Sequence, residues 1–179
     1  MVGGLRMSWI DWEINSNGFY AADTFSVTLP IGADMSWWAC QDELDVEIFA
    51  GFPSDPVNYT TGDLESLILA QVDDLTIDPV HRTIRLSGRD FTARLIDTKT
   101  TEKWQNKRAS AIATELAESH GLTPIVTSTS DRVGKYYRSE HVRLTNQRSE
   151  WDLLTYLAQE ENFQVYVTGK ELHFEPVPE

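Results

Sequence analysis

Apolar and polar residues alternate through the first half of the chain. In Ile10-Asp11-Trp12-Glu13-Ile14 the apolar side chains fall on one face and the acidic ones on the other. That predicts a half-buried strand with Trp12 in the core. Asn15-Ser16-Asn17-Gly18 reads as a turn, with Gly18 supplying positive φ. Phe25, Val27 and Leu29 repeat the period of two until Pro30 closes the strand, and Leu44, Val46 and Ile48 repeat it with Asp45 and Glu47 between them. Beyond the loop Phe52-Pro53-Ser54-Asp55-Pro56, strands are predicted over Ser66 to Ile77 and Thr83 to Ser87, joined at Asp78-Pro79-Val80-His81. About five strands with short turns predict a small closed or nearly closed β-barrel.

The period then changes. Ala109, Ile112, Ala113, Leu116 and Ala117 follow helical spacing, with Asn106 as a candidate cap and Gly121 where a helix commonly ends. Ser149-Glu150-Trp151-Asp152 is a Ser-x-x-acid capping box opening a second helix, whose apolar face is Leu153, Leu154, Leu157 and Ala158. Leu122 to Thr127 and Glu140 to Thr145 are candidate strands between the helices. Phe163 to Val167 and Leu172 to Phe174 form a hairpin around Gly169. The fold class is therefore mostly β with α+β: a small β-barrel over residues 1–97, then an α/β module over 98–179 with two helices packed on short strands.

Charge sharpens this division. Residues 1–97 hold 5 Lys+Arg and 16 Asp+Glu, a net of −11, whereas 98–179 hold 10 and 12, a net of −2. The whole chain, at −13 over 179 residues, lacks the basic face that binding a polyanion needs. One cysteine, Cys40, excludes an internal disulfide framework and is expected to be a small buried residue. No stretch approaches the roughly 18 apolar residues of a membrane span. Asp11 and Glu13 interrupt any apolar core of a secretory signal. A soluble protein made in the cytoplasm is expected, with no membrane insertion.

Catalytic and metal chemistry find little support. His81, His120, His141 and His173 are far apart and form no zinc-type spacing with each other or with Cys40. His120, next to Gly121, reads as a helix-end cation, and His173 as a solvent-facing strand residue. Neither a G-x-S-x-G elbow, a Walker loop nor a dinucleotide fingerprint occurs. Ser87-Gly88-Arg89-Asp90 reads as a strand end with a tight turn at Gly88 and an Arg89–Asp90 ion pair. Asp73-Asp74 and Asp42-Glu43-Leu44-Asp45 offer carboxylate pairs without the surrounding Trp, Asn and Gln that grip a sugar. No catalytic, cofactor-binding or metal residue is assigned, no cofactor is expected, and the chain is not read as an enzyme. Trp37 and Trp38, after the candidate cap Asp34, cannot both point inward from one short turn, so one is expected to meet another subunit.

Several segments, in order, resemble the phage tail baseplate hub family, which includes the late control D proteins and is similar to the hub part of type VI secretion spikes. They are Trp12 to Asn15 through Ala22 to Leu29, Val46 to Gly51, Leu86 to Asp90 ahead of Leu95-Ile96-Asp97, and Ser149 to Leu154 running on to Val167. The resemblance implies a structural virion protein of the tail, a homotrimer with two similar barrels per chain. Its ring joins the tail tube protein to the central spike protein, touches neighbouring baseplate proteins, and lets DNA pass without binding it. An acidic barrel suits such a channel, since carboxylates repel phosphate. The sequence ends at Glu175 to Glu179, where that family begins a second barrel. An N-terminal portion is therefore expected, whose trimer needs a second barrel supplied. The rival reading is a cell-wall or carbohydrate-binding module of a tail-associated protein, with a cell-wall hydrolase third.

Overall fold

The structure, a computed structural model, describes residues 1–17, 20–32, 36–39, 43–100, 104, 107–130 and 148–178. Gly18, Asp34, Cys40, Asp42, Asn106, His141 and the strand expected over 140–145 lie outside these residues. The chain forms two compact units, Met1–Phe91 and Thr92–Glu179. Their net charges, −11 and −2, preserve the asymmetry seen in the sequence.

In the first unit, β1 (Asp11–Asn15), β2 (Thr24–Pro30), β3 (Asp45–Ala50), β4 (Glu65–Asp78) and β5 (Thr83–Asp90) form one antiparallel sheet in the order β1-β2-β5-β4-β3. The sheet curls into a half-barrel around an apolar inner face. Phe25, Val27 and Leu29 of β2 meet Val46 and Ile48 of β3, Ile68 and Ala70 of β4, and Ile84 and Leu86 of β5, all buried. Each fully buried aliphatic side chain contributes about 2 kcal/mol. Trp38, on the short helix α1 (Ser36–Ala39), joins this core, and Trp37 packs half-buried against it. Their rings meet edge to face, with centroids 4.7 Å apart at 87°.

The two edges of the sheet are bridged by the chain's first residues. Met1 and Gly3 bond to the backbone of β3: Glu47 N–H donates to Met1 O at 2.9 Å and Gly3 N–H to Asp45 O at 2.8 Å. Ile10 N–H then donates to Thr28 O of β2 at 2.8 Å. Residues 4–9 therefore run from one edge to the other across the open side of the half-barrel.

β4 is long enough to need a bend, and the bend is a β-bulge. Its register against β5 shifts between Val72 and Asp74, leaving Asp73 as the extra residue. Gly88 sits opposite. A Cβ there would lie 1.9 Å from the Gln71 carbonyl oxygen, so only glycine lets the two backbones approach this closely. The bulge turns Asp73 toward Arg89, whose Nε and Nη2 donate to Asp73 Oδ2 and Oδ1 at 2.7 and 3.1 Å. Ser87 to Asp90 end β5 as expected, but the tight turn expected at Gly88 is corrected: the strand runs straight through it, and Arg89 is clamped by Asp73.

The second unit contains the helices α2 (Thr92–Asp97), α3 (Ala109–Ser119) and α4 (Glu150–Glu161) and a sheet of β6 (Thr123–Val126), β7 (Phe163–Thr168) and β8 (Glu171–Pro176), ordered β6-β8-β7. β6 runs parallel to β8, and β7 antiparallel to it. Ile112, Leu116, Leu153, Leu154, Leu157, Leu172 and Phe174 fill the core between helices and sheet. The capping box closes as its residue types predict. Asp152 N–H donates to Ser149 Oγ and Ser149 N–H to Asp152 Oδ2, both at 3.1 Å. The helix ends at Asn162, in the left-handed region at φ 55°. Arg108 stands at the cap position of α3 and makes no side-chain capping bond. The six-residue α2 was too short to show a period; it forms because Thr92, Ala93 and Leu95 are buried.

Two substitutions test this account. Gly88→Ala is expected to cost about 3 kcal/mol or more, since the clash is with backbone and no rotamer relieves it. Gly32→Ala, whose Cβ meets nothing within 4 Å, is expected to stay within about 0.5 kcal/mol of the parent. Urea midpoints at constant m-value measure both. Ser149→Ala is expected to cost about 1 kcal/mol through the lost cap, read by the same titration.

Candidate interaction surfaces

With most apolar residues turned inward, the outer face of the first sheet is mainly polar, although Leu69 lies opposite Glu47 and Leu67 is 43% exposed. Its cross-strand rows follow from the register. One row is Asp11–Thr28–Arg85–Thr76, the next Glu13–Ser26–Ser87–Asp74, and the third Asn15–Thr24–Arg89–Gln71–Asp45. Glu47 extends the acidic set on β3 and accepts a hydrogen bond from Ser66 Oγ at 2.8 Å. Short hydroxyl side chains occupy the middle of the face together with Arg85 and Arg89, and carboxylates flank them. Asp73 is paired with Arg89. Asp74 Oδ2 instead accepts from Thr76 Oγ1 at 3.1 Å.

The second surface is a cleft of about 140 Å³ where residues 1–9 cross the half-barrel. Met7, Trp9, Trp12, Leu29 and Ile48 wall it, and Arg6, Glu47, Tyr59 and Thr61 are the polar residues of its lining. Trp12 is paired with Val27 on the inner face, as its period requires. It is nonetheless 38% exposed, and Ile10 and Trp9 are 54% and 62% exposed. The expected core position of Trp12 is thus corrected: β1 is an edge strand, and too little packs over its inner face to cover a tryptophan. Trp9 is the most exposed of the apolar residues beside this cleft.

Both turns flanking β4 are built on aspartates. Asp55 Oδ1 accepts from the N–H groups of Val57 and Asn58 at 2.9 and 3.2 Å, and Asp63 Oδ2 from Thr60 N–H at 2.8 Å. Asp78 Oδ1 accepts from Val80 and His81 N–H, both at 2.9 Å, and Asp78 Oδ2 lies 2.7 Å from His81 Nδ1. These bonds hold all three carboxyls below their ordinary range. The leading causes are Val57 N–H for Asp55, Thr60 N–H for Asp63 and His81 N–H for Asp78. Between them the turns display Phe52, Val57 and Val80 to solvent.

In the second unit, His120 ends α3 and its Nε2 lies 2.5 Å from Glu150 Oε2 at the start of α4. The expected helix-end role thus gains a carboxylate partner. His173 is not a free solvent-facing residue. It stacks on Tyr166 at 4.6 Å and 4°, with Glu171 and Glu175 oxygens 3.7 and 3.9 Å from its ring nitrogens. Tyr166 OH donates to Glu175 Oε1 at 2.8 Å. Burial first, and then this carboxylate, push the Tyr166 phenol up. Among the described residues no group of three His, Cys, Asp or Glu side chains is arranged to hold a metal ion, and no helix is long and apolar enough to cross a membrane.

No family model matches the sequence, and no curated protein does. Solved structures do match. The 43 kDa tail protein of prophage MuSo2 from Shewanella oneidensis aligns with a TM-score of 0.56 at 18% identity, over 88% of this chain and 48% of that one. The tail protein from Neisseria meningitidis MC58 aligns with a TM-score of 0.61 at 16% identity, over 97% and 49%. The chain shares its fold with the matched part of these two proteins. It spans about half the length of each of these two proteins.

The aspartate turns carry a pH dependence of definite sign. Each carboxyl is lowered from an ordinary value of 3.8 in the folded chain. Its contribution is therefore present above that value and lost as pH falls through the lowered one. In an NMR titration from about pH 5 to about pH 2, the amide protons of Val57, Thr60 and His81 are expected to lose protection ahead of those in β5.

Proposed function

We propose that this chain is a structural component of a phage or phage-like tail baseplate hub, joining the tail tube to the central spike and lining the channel through which DNA passes. The observation that carries the reading is the fold shared with the matched part of these tail proteins, over nearly the whole chain. The outer face of the first sheet suits the task. A channel must let a polyanion slide without holding it, so carboxylates and short hydroxyls serve where lysines and arginines would bind through counterion release. Two arginines lie on that face: Arg89, held by Asp73 in a two-point clamp, and the exposed Arg85 between Thr28 and Thr76, outnumbered by the carboxylates around them.

In this reading the working assembly is a homotrimer with a second barrel supplied to each first unit. The nearly neutral second unit contacts neighbouring baseplate proteins. The protein is made in the host cytoplasm, resides in the virion tail, carries no cofactor and performs no catalysis. The stacked Tyr166 and His173 rings, flanked by Glu171 and Glu175, favour one rival, a cell-wall or carbohydrate-binding module of a tail-associated protein. Saturable binding of peptidoglycan fragments, abolished by Tyr166→Ala, would put that module in place of the hub.

The charge of the outer face supplies the test. The triple variant Asp11→Lys, Glu13→Lys, Asp74→Lys changes only exposed side chains, so the fold and tail assembly should survive. Its affinity for duplex DNA at low salt should rise by at least about tenfold, and particles carrying it should eject DNA more slowly than the parent. Tight DNA binding by the parent chain, or normal ejection by the variant, would overturn the channel assignment.

A further inference from the structure

The cleft beneath residues 1–9 contains chemistry that a DNA channel does not use. Trp9, Trp12, Leu29 and Ile48 give it apolar walls, and its volume is about 140 Å³. A cavity of roughly that size admits one benzene-like group. Against these walls stands Arg6, the sole Lys or Arg in residues 1–81. Its Nη2 donates to Tyr59 OH at 2.9 Å and its guanidinium lies 5.1 Å from the Tyr59 ring centroid. Among the described residues no carboxylate pairs with it, although the first unit carries 15 Asp+Glu. In so acidic a unit, a guanidinium beside an apolar cleft that is bound to a tyrosine and to no carboxylate among the described residues is a specific feature.

Trp12 belongs to β1, which among the described residues pairs on one side only, with β2. The free side presents backbone N–H and C=O groups next to the cleft. An extended polypeptide can bond to such an edge, whereas a sugar or a lipid cannot continue the ladder.

We propose that this cleft receives one large apolar side chain of an extended protein segment, and that Arg6 pairs with a carboxylate adjacent to that side chain in the segment. The apolar side chain replaces water against Trp9 and Trp12, which are too exposed for their size in the isolated chain. The carboxylate selects the partner, since the remaining charge of the first unit repels acidic segments everywhere else. The inference rests on the first unit's own geometry and not on the hub reading. Its failure would leave the acidic outer face and the shared fold as they are.

The test uses the full chain and ¹⁵N-indole signals of Trp9 and Trp12 in NMR. The probes are a blocked pentapeptide with Phe-Glu at its centre, its Phe-Gln and Phe-Lys counterparts, and chitotriose. The Phe-Glu peptide should shift both indole signals saturably. It should bind about threefold tighter than Phe-Gln and about tenfold tighter than Phe-Lys, the scale of an exposed ion pair and of its reversal. Arg6→Gln, at an exposed position, should retain the shifts and abolish the difference between Phe-Glu and Phe-Gln. Trp12→Ala should abolish binding of all three peptides. No saturable shift with any peptide, equal affinities in the parent, an unchanged preference in Arg6→Gln, or binding of chitotriose alone would each overturn the proposal.

Discussion

The half-barrel turns on one close approach of backbone to backbone, Gly88 against Gln71. β4 could not stay paired with β5 along its length and also curl around the core without an extra residue somewhere. The bulge at Asp73 supplies that residue, and a missing Cβ opposite makes room for it. Bending the hairpin brings β3 and β2 toward each other with their apolar faces inward. The first residues then have only a short gap to cross, and their bonds to β3 and β2 complete the wall. The cleft is what this bridge leaves unfilled.

The same bend organises the charge. Asp73 leaves the ladder and clamps Arg89, while Asp74 and Thr76 remain in register with Ser87 and Arg85. A curled sheet has one face enclosed and one open, so most of the ionisable side chains on its strands share the open face, the buried Asp90 of β5 excepted. That crowding is tolerable because the carboxylates are separated by serine and threonine and remain in water. It also gives the first unit a face suited to repelling phosphate. At the ends of β4 aspartates do a different job, fixing turns through backbone N–H groups, so the net charge of −11 has two structural uses.

Much of this was legible in local patterns. Period-two alternation identified β2 and β3, and helical spacing with a Ser-x-x-Asp box identified α4 down to its cap. These signals are local: a residue's face depends on its own strand or turn, and a cap on residues three apart. The candidate surfaces were less legible. Alternation put Trp12 on the correct face but could not say that β1 is an edge strand, where an inward residue is still exposed. Gly88 looked like a turn because glycine in sequence shows freedom, and here what mattered was the space taken by Gln71 across the strand pair. The partners of Arg89, Arg6, His120 and His173 were likewise set by residues distant in the chain or across a sheet.

By itself the sequence determined the strand and helix periods, the capping box, the acidic first unit and the near-neutral second one. All of these follow from residue type at short spacing, where φ/ψ preference and side-chain direction decide. Only the tertiary structure decided which strands are edges, where the sheet bends, which charges find partners, and that residues 1–9 roof a cleft in which Arg6 is bound to Tyr59. Those features depend on which distant backbones meet, and burial is a property of neighbours that no single segment carries.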